Sequence, residues 1–327
     1  MGPGPGRRRG RSEAAVRHRL RRTLLALLIA TAVVVPVSAA ARPSVPAPRP
    51  ASLAPVTAAT LTETYQANRA NAAEAARMAA DHGDTGRAAT DRSMAGPSRQ
   101  FLAFDGRGPG QAVEVLGDLV KADRIAVLVP GSDTSLDTYD RFRRAATALH
   151  DSTGPGTAVI AWLGYETPGT ISTTVLTPDR AEEAAPHLRA FIRELRGLVG
   201  DSARLSLLCH SYGSVVCGRA ASGLDVDDIA LVGSPGTGAD NAAALHTPAR
   251  VWAARGADDW VALVPHARAD LLGTTLGFGT DPVSRSFGAQ VFDAGPGGHS
   301  DYFTPGTPSL TNLTRIVRGD TEEVTGA

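Results

Sequence analysis

The stretch from Arg204 to Gly218 constrains this chain more than any other part of its sequence. A short apolar run, Leu205–Leu208, leads to Ser211 among small residues, and a stretch compatible with a helix follows. This order predicts a strand, a sharp turn and a helix, with Ser211 at the apex. It approximates the Gly-x-Ser-x-Gly nucleophile elbow, with Cys209 at the first glycine position and Gly213 at the second. An ordinary strand–loop–helix with a surface serine is the alternative.

Apolar runs of strand length alternate with amphipathic stretches from residue 124 onward. This alternation predicts an α/β fold, with a mostly parallel central sheet and helices on both faces. A hairpin of two short strands precedes it. In such sheets the functional site lies beyond the carboxyl ends of the strands. The predicted strands are 101–104, 112–116, 124–129, 158–163, 205–208, 228–232, 250–254 and 290–292.

The first 41 residues have the organisation of a secretory signal peptide. Eight arginines lie among the first 22 residues, an apolar run spans 24–35, and Pro36 and small residues follow. The pair Arg21-Arg22 also resembles a twin-arginine signal. An uncleaved membrane anchor is the alternative, and either one predicts that the remainder of the chain lies outside the cytoplasm.

Composition divides the rest of the chain into three parts. Residues 42–59 are rich in proline and alanine and predict a disordered linker. Residues 60–98 form a helical segment, with helix-forming composition from Thr60 to about Ala80 and a Gly/Ser-rich stretch after it. Residues 99–327 form the α/β domain. No nucleic-acid partner is expected, because 33 basic residues balance 33 acidic ones.

The two cysteines, Cys209 and Cys217, flank the elbow. Their number and spacing match neither a disulfide framework nor a metal site. We therefore expect two buried thiols, with a disulfide between them as the alternative. No metal or organic cofactor is expected.

A serine hydroxyl needs a base to take its proton, and the base is usually a histidine oriented by an acid. Downstream of Ser211, His299 lies in a glycine-rich loop directly after the last strand, where such a base is expected. His246 and His266 lie within or beside predicted helices and are weaker candidates. His210 precedes the nucleophile and is expected to be structural.

The acid is expected after the penultimate strand, because the chain order in such triads is serine, acid, histidine. Asp259 lies three residues after Gly256 and is the preferred acid, with Asp258 as the alternative. Asp281 follows a further predicted helix and is weaker, and Asp301 is too close to the histidine in sequence.

The remaining site residues are predicted from the loops that follow strands. The N–H group of Tyr212, together with that of Gly131 or Ser132, is expected to form an oxyanion hole. The connection from residue 164 to 177 is a candidate wall of the substrate pocket, with Tyr165 and Ile171 as its lining residues. An ordinary surface connection is the alternative.

Several segments between about residues 100 and 305 together resemble the actinobacterial α/β-hydrolase family DUF1023. The resemblance implies an α/β-hydrolase fold and a Ser-Asp-His serine hydrolase, without implying a substrate. The segments are Gln100-Phe101-Leu102, Phe104-Asp105, Leu128-Val129-Pro130-Gly131, Ala161-Trp162-Leu163-Gly164-Tyr165, His210-Ser211-Tyr212-Gly213-Ser214, Val232-Gly233-Ser234-Pro235-Gly236 and Gly298-His299-Ser300-Asp301-Tyr302.

These observations predict an exported serine hydrolase that acts on a small-molecule or lipid-like carboxylic ester. The same triad also serves amidases, peptidases and acyltransferases, so these activities remain open. A non-catalytic binding protein on a hydrolase scaffold is the alternative from another class. Activity on esters but not amides, and reaction with a fluorophosphonate, would distinguish these functions.

Overall fold

The computed structural model describes residues 45–170, 177–264, 266, 269–271 and 274–327. The predicted signal segment 1–41 and the pocket candidate Ile171 lie outside the described residues. Residues 45–327 form one compact unit.

The described strands are β1 (Phe101–Asp105), β2 (Gln111–Leu116), β3 (Arg124–Val129), β4 (Thr157–Leu163), β5 (Arg204–His210), β6 (Asp228–Val232), β7 (Arg250–Ala254), β8 (Ala269–Leu271), β9 (Thr274–Leu276) and β10 (Gln290–Val291). Eight of them form one sheet in the order β1-β2-β4-β3-β5-β6-β7-β10. The first two strands pair antiparallel, β2 also pairs antiparallel with β4, and every later neighbour is parallel. The predicted mostly parallel sheet is therefore confirmed.

Helices cover both faces of the sheet, as the sequence predicts. Side chains of a strand point alternately to its two faces, and in β3 Ile125 and Val127 pack in one core cluster whereas Ala126 and Leu128 pack in the other. The helices are α1 (Leu61–Asp81), α2 (Thr85–Met94), α3 (Tyr139–Thr153), α4 (Asp179–Val199), α5 (Gly213–Ala220) and α6 (Pro308–Arg318). The first cluster includes residues of α4 and α5, and the second includes residues of α3 and α6.

The segment before the sheet contains a second helix and differs from the sequence-based expectation in one place. Helix α2 lies in the Gly/Ser-rich part of the predicted helical segment 60–98, and Asp84 caps it by accepting a hydrogen bond from the Arg87 N–H at 2.9 Å. Residues 45–59 contain neither helix nor strand. However, Ala47 and Val56 pack against the core clusters, so the expectation of a disordered linker is wrong for this part. Small apolar side chains bury surface without needing regular structure.

A second, two-stranded antiparallel sheet was not predicted, and it lies between β7 and β10 in the chain. It pairs β8 (Ala269–Leu271) with β9 (Thr274–Leu276). Within the part of the chain that the structure describes, no helix is long and apolar enough to cross a membrane.

Candidate active site

Ser211 lies at a sharp turn between β5 and α5, as the elbow motif predicts. Its φ angle of 54° is in the left-handed region that non-glycine residues rarely adopt. The turn is held by a hydrogen bond from the Ser211 N–H to the Val232 carbonyl at 3.0 Å. Strained backbone of this kind is concentrated at functional sites.

Two glycines are required by the close approach of neighbouring segments to this turn. A Cβ atom at Gly213 would lie 2.6 Å from the Val129 carbonyl oxygen. A Cβ atom at Gly131 would lie 2.5 Å from the Cβ of Ser211. Any larger residue at either position would therefore displace the turn.

The first glycine position of the motif is occupied by Cys209, which forms a disulfide with Cys217 of α5. Both residues are fully buried. The expectation of two free thiols is therefore wrong, although burial itself was anticipated. The two residues lie on consecutive elements, and the Cα–Cα distance of 6.4 Å across the turn suits a disulfide.

Three side chains from three separate loops meet at this turn. His299 Nε2 lies 2.8 Å from the Ser211 Oγ, and His299 Nδ1 lies 2.9 Å and 3.0 Å from the two carboxylate oxygens of Asp259. The geometry matches a nucleophile, a base and an orienting acid. The structure thus brings together the serine, the histidine and the preferred acid of the sequence analysis.

The environment of Asp259 favours its ionised form. Burial, with 2% of the residue exposed, raises the pKa. Hydrogen bonds from His299, Tyr302 and the Val261 N–H outweigh this effect, so the pKa of Asp259 lies below its usual value. An ionised carboxylate here accepts the Nδ1–H of His299 and leaves Nε2 free to take a proton from the serine.

Tyr302 contacts Asp259 and His210 contacts His299, and the sequence analysis predicted neither contact. The Tyr302 hydroxyl donates a short hydrogen bond to Asp259 Oδ2 and accepts one from the Gly256 N–H at 3.1 Å. The His210 ring lies 4.8 Å from the His299 ring, and its Nε2 lies 2.7 Å from the His299 carbonyl oxygen. Burial and the adjacent His299 lower the pKa of His210 to about 4, so this ring is neutral at neutral pH and donates to that carbonyl. The only available signal for Tyr302 was its place in the segment Gly298–Tyr302.

The alternative acids lie elsewhere. Asp258 is exposed, although it neighbours the buried Asp259. Asp281 forms an ion pair with Arg255 at 2.6 Å. Asp301 accepts a hydrogen bond from the Gly298 N–H at 2.8 Å and so shapes the loop that carries His299.

The other two histidines are also away from the turn. His246 is exposed and follows a short 3₁₀ helix, Ala243–Leu245. His266 lies 3.8 Å from Asp281. Neither contacts Ser211 among the described hydrogen bonds.

The predicted oxyanion donors lie beside the serine. Gly131 contacts Ser211, and all three predicted donor residues line a cavity that opens over Ser211. The N–H groups of these three residues donate to no protein acceptor within the described part of the chain. Unpaired N–H groups next to a nucleophile are suited to bind a developing oxyanion.

A cavity of about 660 Å³ opens over Ser211. Trp260 lies at its wall, half exposed, with its ring centroid 4.6 Å from that of His299. Thr170 is the described residue of the 164–177 connection that lines the cavity. Groups of three or more potential metal-ligating side chains do not occur among the residues that the structure describes.

The prediction of Tyr165 as a pocket residue is wrong. Tyr165 is buried, stacks on Trp162 with a centroid distance of 5.9 Å, and donates a hydrogen bond to the Pro130 carbonyl at 2.6 Å. Its ring is apolar enough for the core, and its hydroxyl finds an acceptor there. Tyr165 therefore supports the loop that carries Gly131 instead of lining the cavity.

Comparison with solved structures gives matches to hydrolases at low sequence identity. The esterase PE8 matches at 17% identity and a TM-score of 0.42, covering 63% of this chain and 96% of that chain. A serine hydrolase without a lid from Xanthomonas campestris matches at 17% identity and a TM-score of 0.43, covering 69% of this chain and 95% of that chain.

Sequence comparison gives closer relatives. Two proteins from Mycobacterium tuberculosis strains CDC 1551 and H37Rv, both described as uncharacterized, are 30% identical over 257 residues, covering 67% of this chain. The chain spans 38% of the length of these curated relatives. The family model described as alpha/beta hydrolase matches residues 105–269, about half of the chain. Membership of the narrower actinobacterial family DUF1023 stays a prediction. The match to the family model shows that the chain belongs to the alpha/beta hydrolase family.

Proposed function

We propose that this chain is an exported serine hydrolase that cleaves carboxylic esters through an acyl-enzyme on Ser211. The observation that carries the proposal is the 2.8 Å contact between His299 Nε2 and Ser211 Oγ, with the opposite ring nitrogen on the buried Asp259. A surface serine would have neither a strained turn nor an oriented base.

The reaction follows from the positions of these groups. Ser211 Oγ attacks the ester carbonyl carbon while His299 Nε2 takes the hydroxyl proton, and His299 donates that proton to the alcohol oxygen as its bond to carbon breaks. Water then attacks the acyl-enzyme and gives its proton to His299. The bond between the acyl carbon and Ser211 Oγ breaks, Oγ regains the proton, and the acid leaves.

The N–H group of Tyr212 and that of Gly131 or Ser132 would bind the oxyanion of both tetrahedral intermediates. Removing one such donor from an oxyanion hole typically costs about 3 kcal/mol of transition-state stabilisation. These donors belong to the backbone, so their placement depends on the turns at Gly131 and Ser211.

An ester is favoured over a peptide by the lining of the cavity. Most of its exposed lining surface is apolar, with aromatic and aliphatic side chains on its walls. A peptide substrate would bury several backbone N–H and C=O groups here, and groups of this kind need hydrogen-bond partners. An ester adds fewer polar groups to the same cavity.

Labelling with a fluorophosphonate tests the nucleophile and the base. The purified protein is expected to label at Ser211, and Ser211→Ala is expected to remove the label and lower kcat for p-nitrophenyl acetate on the order of 10⁴-fold or more. His299→Ala is expected to abolish rapid labelling while leaving the protein folded. Ser202→Ala, at an exposed serine remote from the turn, serves as the control.

A folded wild-type protein that does not label would contradict the catalytic proposal and favour a binding protein. Equal turnover of a matched amide would contradict the ester assignment and leave the triad in place.

Export is supported by the sequence of residues 1–41 and by the Cys209–Cys217 disulfide, because disulfides persist mainly in oxidising compartments. The same probe tests it when applied to cultures of the producing cells. The labelled protein is expected in the medium or at the cell surface, and a label confined to the cytoplasm would contradict export. Its intact mass distinguishes a cleaved signal from a retained membrane anchor.

A further inference from the structure

The cavity over Ser211 is lined by residues that belong to both core clusters of the sheet. Val129 and Tyr212 belong to one core cluster, and Leu128 and Leu208 belong to the other. The two clusters are separated by the sheet, so the cavity extends to either side of the nucleophile. Such an extension suits an ester, which has substituents on both sides of its reacting carbon.

One part of this cavity, which we term the α3 side, is lined by apolar side chains that pack in one core cluster. It is formed by Phe142 and Ala145 of α3, by Phe303, and by the buried strand residues Leu128 and Leu208. Phe142 and Ala145 are one helical turn apart and therefore lie on the same face of α3.

Charged side chains occur only at the exposed margin of the described lining. Arg141 and Asp133 are both exposed, and the Asp133 carboxylate accepts a hydrogen bond from the Thr170 N–H at 3.1 Å. A charged or strongly polar substituent on the α3 side would lose its hydration without gaining a partner there. An uncharged hydrocarbon would instead gain from burial.

We propose that the ester substrate carries a medium-length aliphatic chain that lies on the α3 side of the cavity, against Ala145. The inference rests on the proposed esterase function. The cavity volume of about 660 Å³ lies within the range of small-molecule sites and leaves room for such a chain. The methyl group of Ala145 is the smallest side chain among the α3-side residues, so a larger residue there would fill the space that the chain occupies.

Two substrate series test the proposal on the full-length protein. One extends the acyl part of p-nitrophenyl esters from acetate through butyrate and octanoate to palmitate. The other extends the alcohol part of acetate esters in the same way. In one of the series, kcat/KM is expected to rise up to fourfold for each added methylene group until the α3 side is full. It is then expected to level or fall at the longest chain.

Ala145→Phe is the decisive variant. It is expected to remove the rise with chain length, so that the ratio of kcat/KM on the octanoate ester to kcat/KM on the acetate ester falls towards one. Ala148→Phe is the matched control, because Ala148 lies one turn further along α3 and packs against the same core cluster without lining the cavity. This control is expected to keep the chain-length dependence. If Ala145→Phe does not fold, Ala145→Leu supplies a smaller obstruction.

Three results would overturn the inference: no dependence on chain length in either series, a benzoate ester preferred to the octanoate, or an equal loss on short and long chains in Ala145→Phe. Labelling of Ser211 by a fluorophosphonate in the same samples distinguishes failure of the proposed function from failure of the inferred aliphatic chain. If the enzyme labels but gives any of these three results, the proposed function stands and only the inferred chain is wrong. An unlabelled wild type overturns both.

Discussion

Asp259 receives more hydrogen bonds than orientation of a histidine requires. Besides His299, the Tyr302 hydroxyl donates to Oδ2 and the Val261 N–H donates to Oδ1 at 2.9 Å. Each donor stabilises the charged carboxylate, which is otherwise penalised by burial. Tyr302 is in turn held by the Gly256 N–H, so the position of the acid depends on a residue that does not touch the nucleophile.

We expect Tyr302→Phe to lower kcat/KM on the order of tenfold, because a hydrogen bond to a charged group contributes about 1.5–3 kcal/mol. The folded-state pKa of Asp259 is depressed below 3.8, so its contribution to stability is present above pH 3.8 and is lost as the pH falls through the folded-state pKa. In Tyr302→Phe the pKa of Asp259 is expected to be less depressed, because the hydrogen bond from the Tyr302 hydroxyl is missing. Its deficit in the free energy of unfolding is therefore expected to be largest at neutral pH and to narrow below pH 3.8.

Denaturant titrations at neutral and acidic pH measure this deficit, and initial rates measure the loss of activity. Tyr65→Phe is the matched control, since the buried Tyr65 hydroxyl has no partner among the described residues. A deficit for Tyr302→Phe that does not change with pH would indicate a packing effect and contradict the assigned role.

The residue scale also shows which features the sequence can reveal. The sequence could predict that Ser211, Asp259 and His299 come together, because each follows a strand and because the chain order of such triads limits the candidates. Tyr302 was given no role and Tyr165 was given a wrong one. The position of a tyrosine in the sequence does not show which carbonyl or carboxylate its hydroxyl will contact after folding. The sequence left the cysteine pairing open for the same reason, since the distance between Cys209 and Cys217 depends on how tightly the chain turns at Ser211.

At the scale of elements, the disulfide joins the strand that ends before Ser211 to the helix that begins after it. Cys209 is the sixth residue of β5 and Cys217 the fifth of α5, so the closed loop contains the whole turn. Gly213, at the second glycine position of the motif, allows the close approach to the Val129 carbonyl. The first glycine position is occupied by Cys209, which forms the disulfide. This link constrains the strained backbone of Ser211.

The double variant Cys209→Ala/Cys217→Ala is expected to lose about 2.5 kcal/mol of stability, as chain entropy predicts for a short loop. It is also expected to lower kcat more than it changes KM, because the placement of Ser211 becomes less constrained. Thermal unfolding and steady-state kinetics measure the two effects.

A reductant provides the matched control. Dithiothreitol is expected to inactivate the wild type slowly, since both cysteines are fully buried, and to have no effect on the double variant. A double variant with the stability and kcat of the wild type would contradict the role of the disulfide in holding the turn.

Strands and the long helices were largely predictable because their hydrophobic periods are strong. The predicted strands 228–232 and 250–254 agree with β6 and β7, and the strongly amphipathic stretch 178–200 coincides with α4 (Asp179–Val199). The bounds of helix α2, which lies within the predicted helical segment 60–98, could not be given because its sequence has little apolar periodicity and its stability comes from tertiary contacts. The β8–β9 pair was missed because strands of three residues are too short for a periodic signal.

At the scale of the whole molecule, the division between a helical segment and a sheet domain does not describe the packing. The Asn68 amide donates to the carbonyls of Phe101 and Leu102 at 3.0 Å and 3.2 Å. The buried Arg87 guanidinium of α2 donates to the Gly106 carbonyl at 2.6 Å and contacts Asp91 at 3.3 Å. The first helices are therefore bonded to the strand and turn that begin the sheet.

This connection predicts that residues 45–327 unfold as one cooperative unit, and Arg87→Ala tests it. Removing one partner of a buried ion pair typically costs 3–5 kcal/mol, so the variant is expected to lower the stability of the entire unit by about this amount. Arg77→Ala is the control, because the exposed Arg77–Glu74 pair of α1 contributes only about 0–1 kcal/mol.

Two probes distinguish the parts of the molecule during unfolding. All three tryptophans lie within residues 162–260, whereas circular dichroism also detects α1 and α2. If the helices belong to the same unit, tryptophan fluorescence and circular dichroism have coincident transitions in the wild type and shift together in Arg87→Ala. A separate early transition in circular dichroism, with tryptophan fluorescence unchanged, would instead show that residues 60–98 fold independently. The coincident result is expected because the acceptors for Asn68 and Arg87 are backbone carbonyls of β1 and the turn after it, which lose these partners when the helices melt.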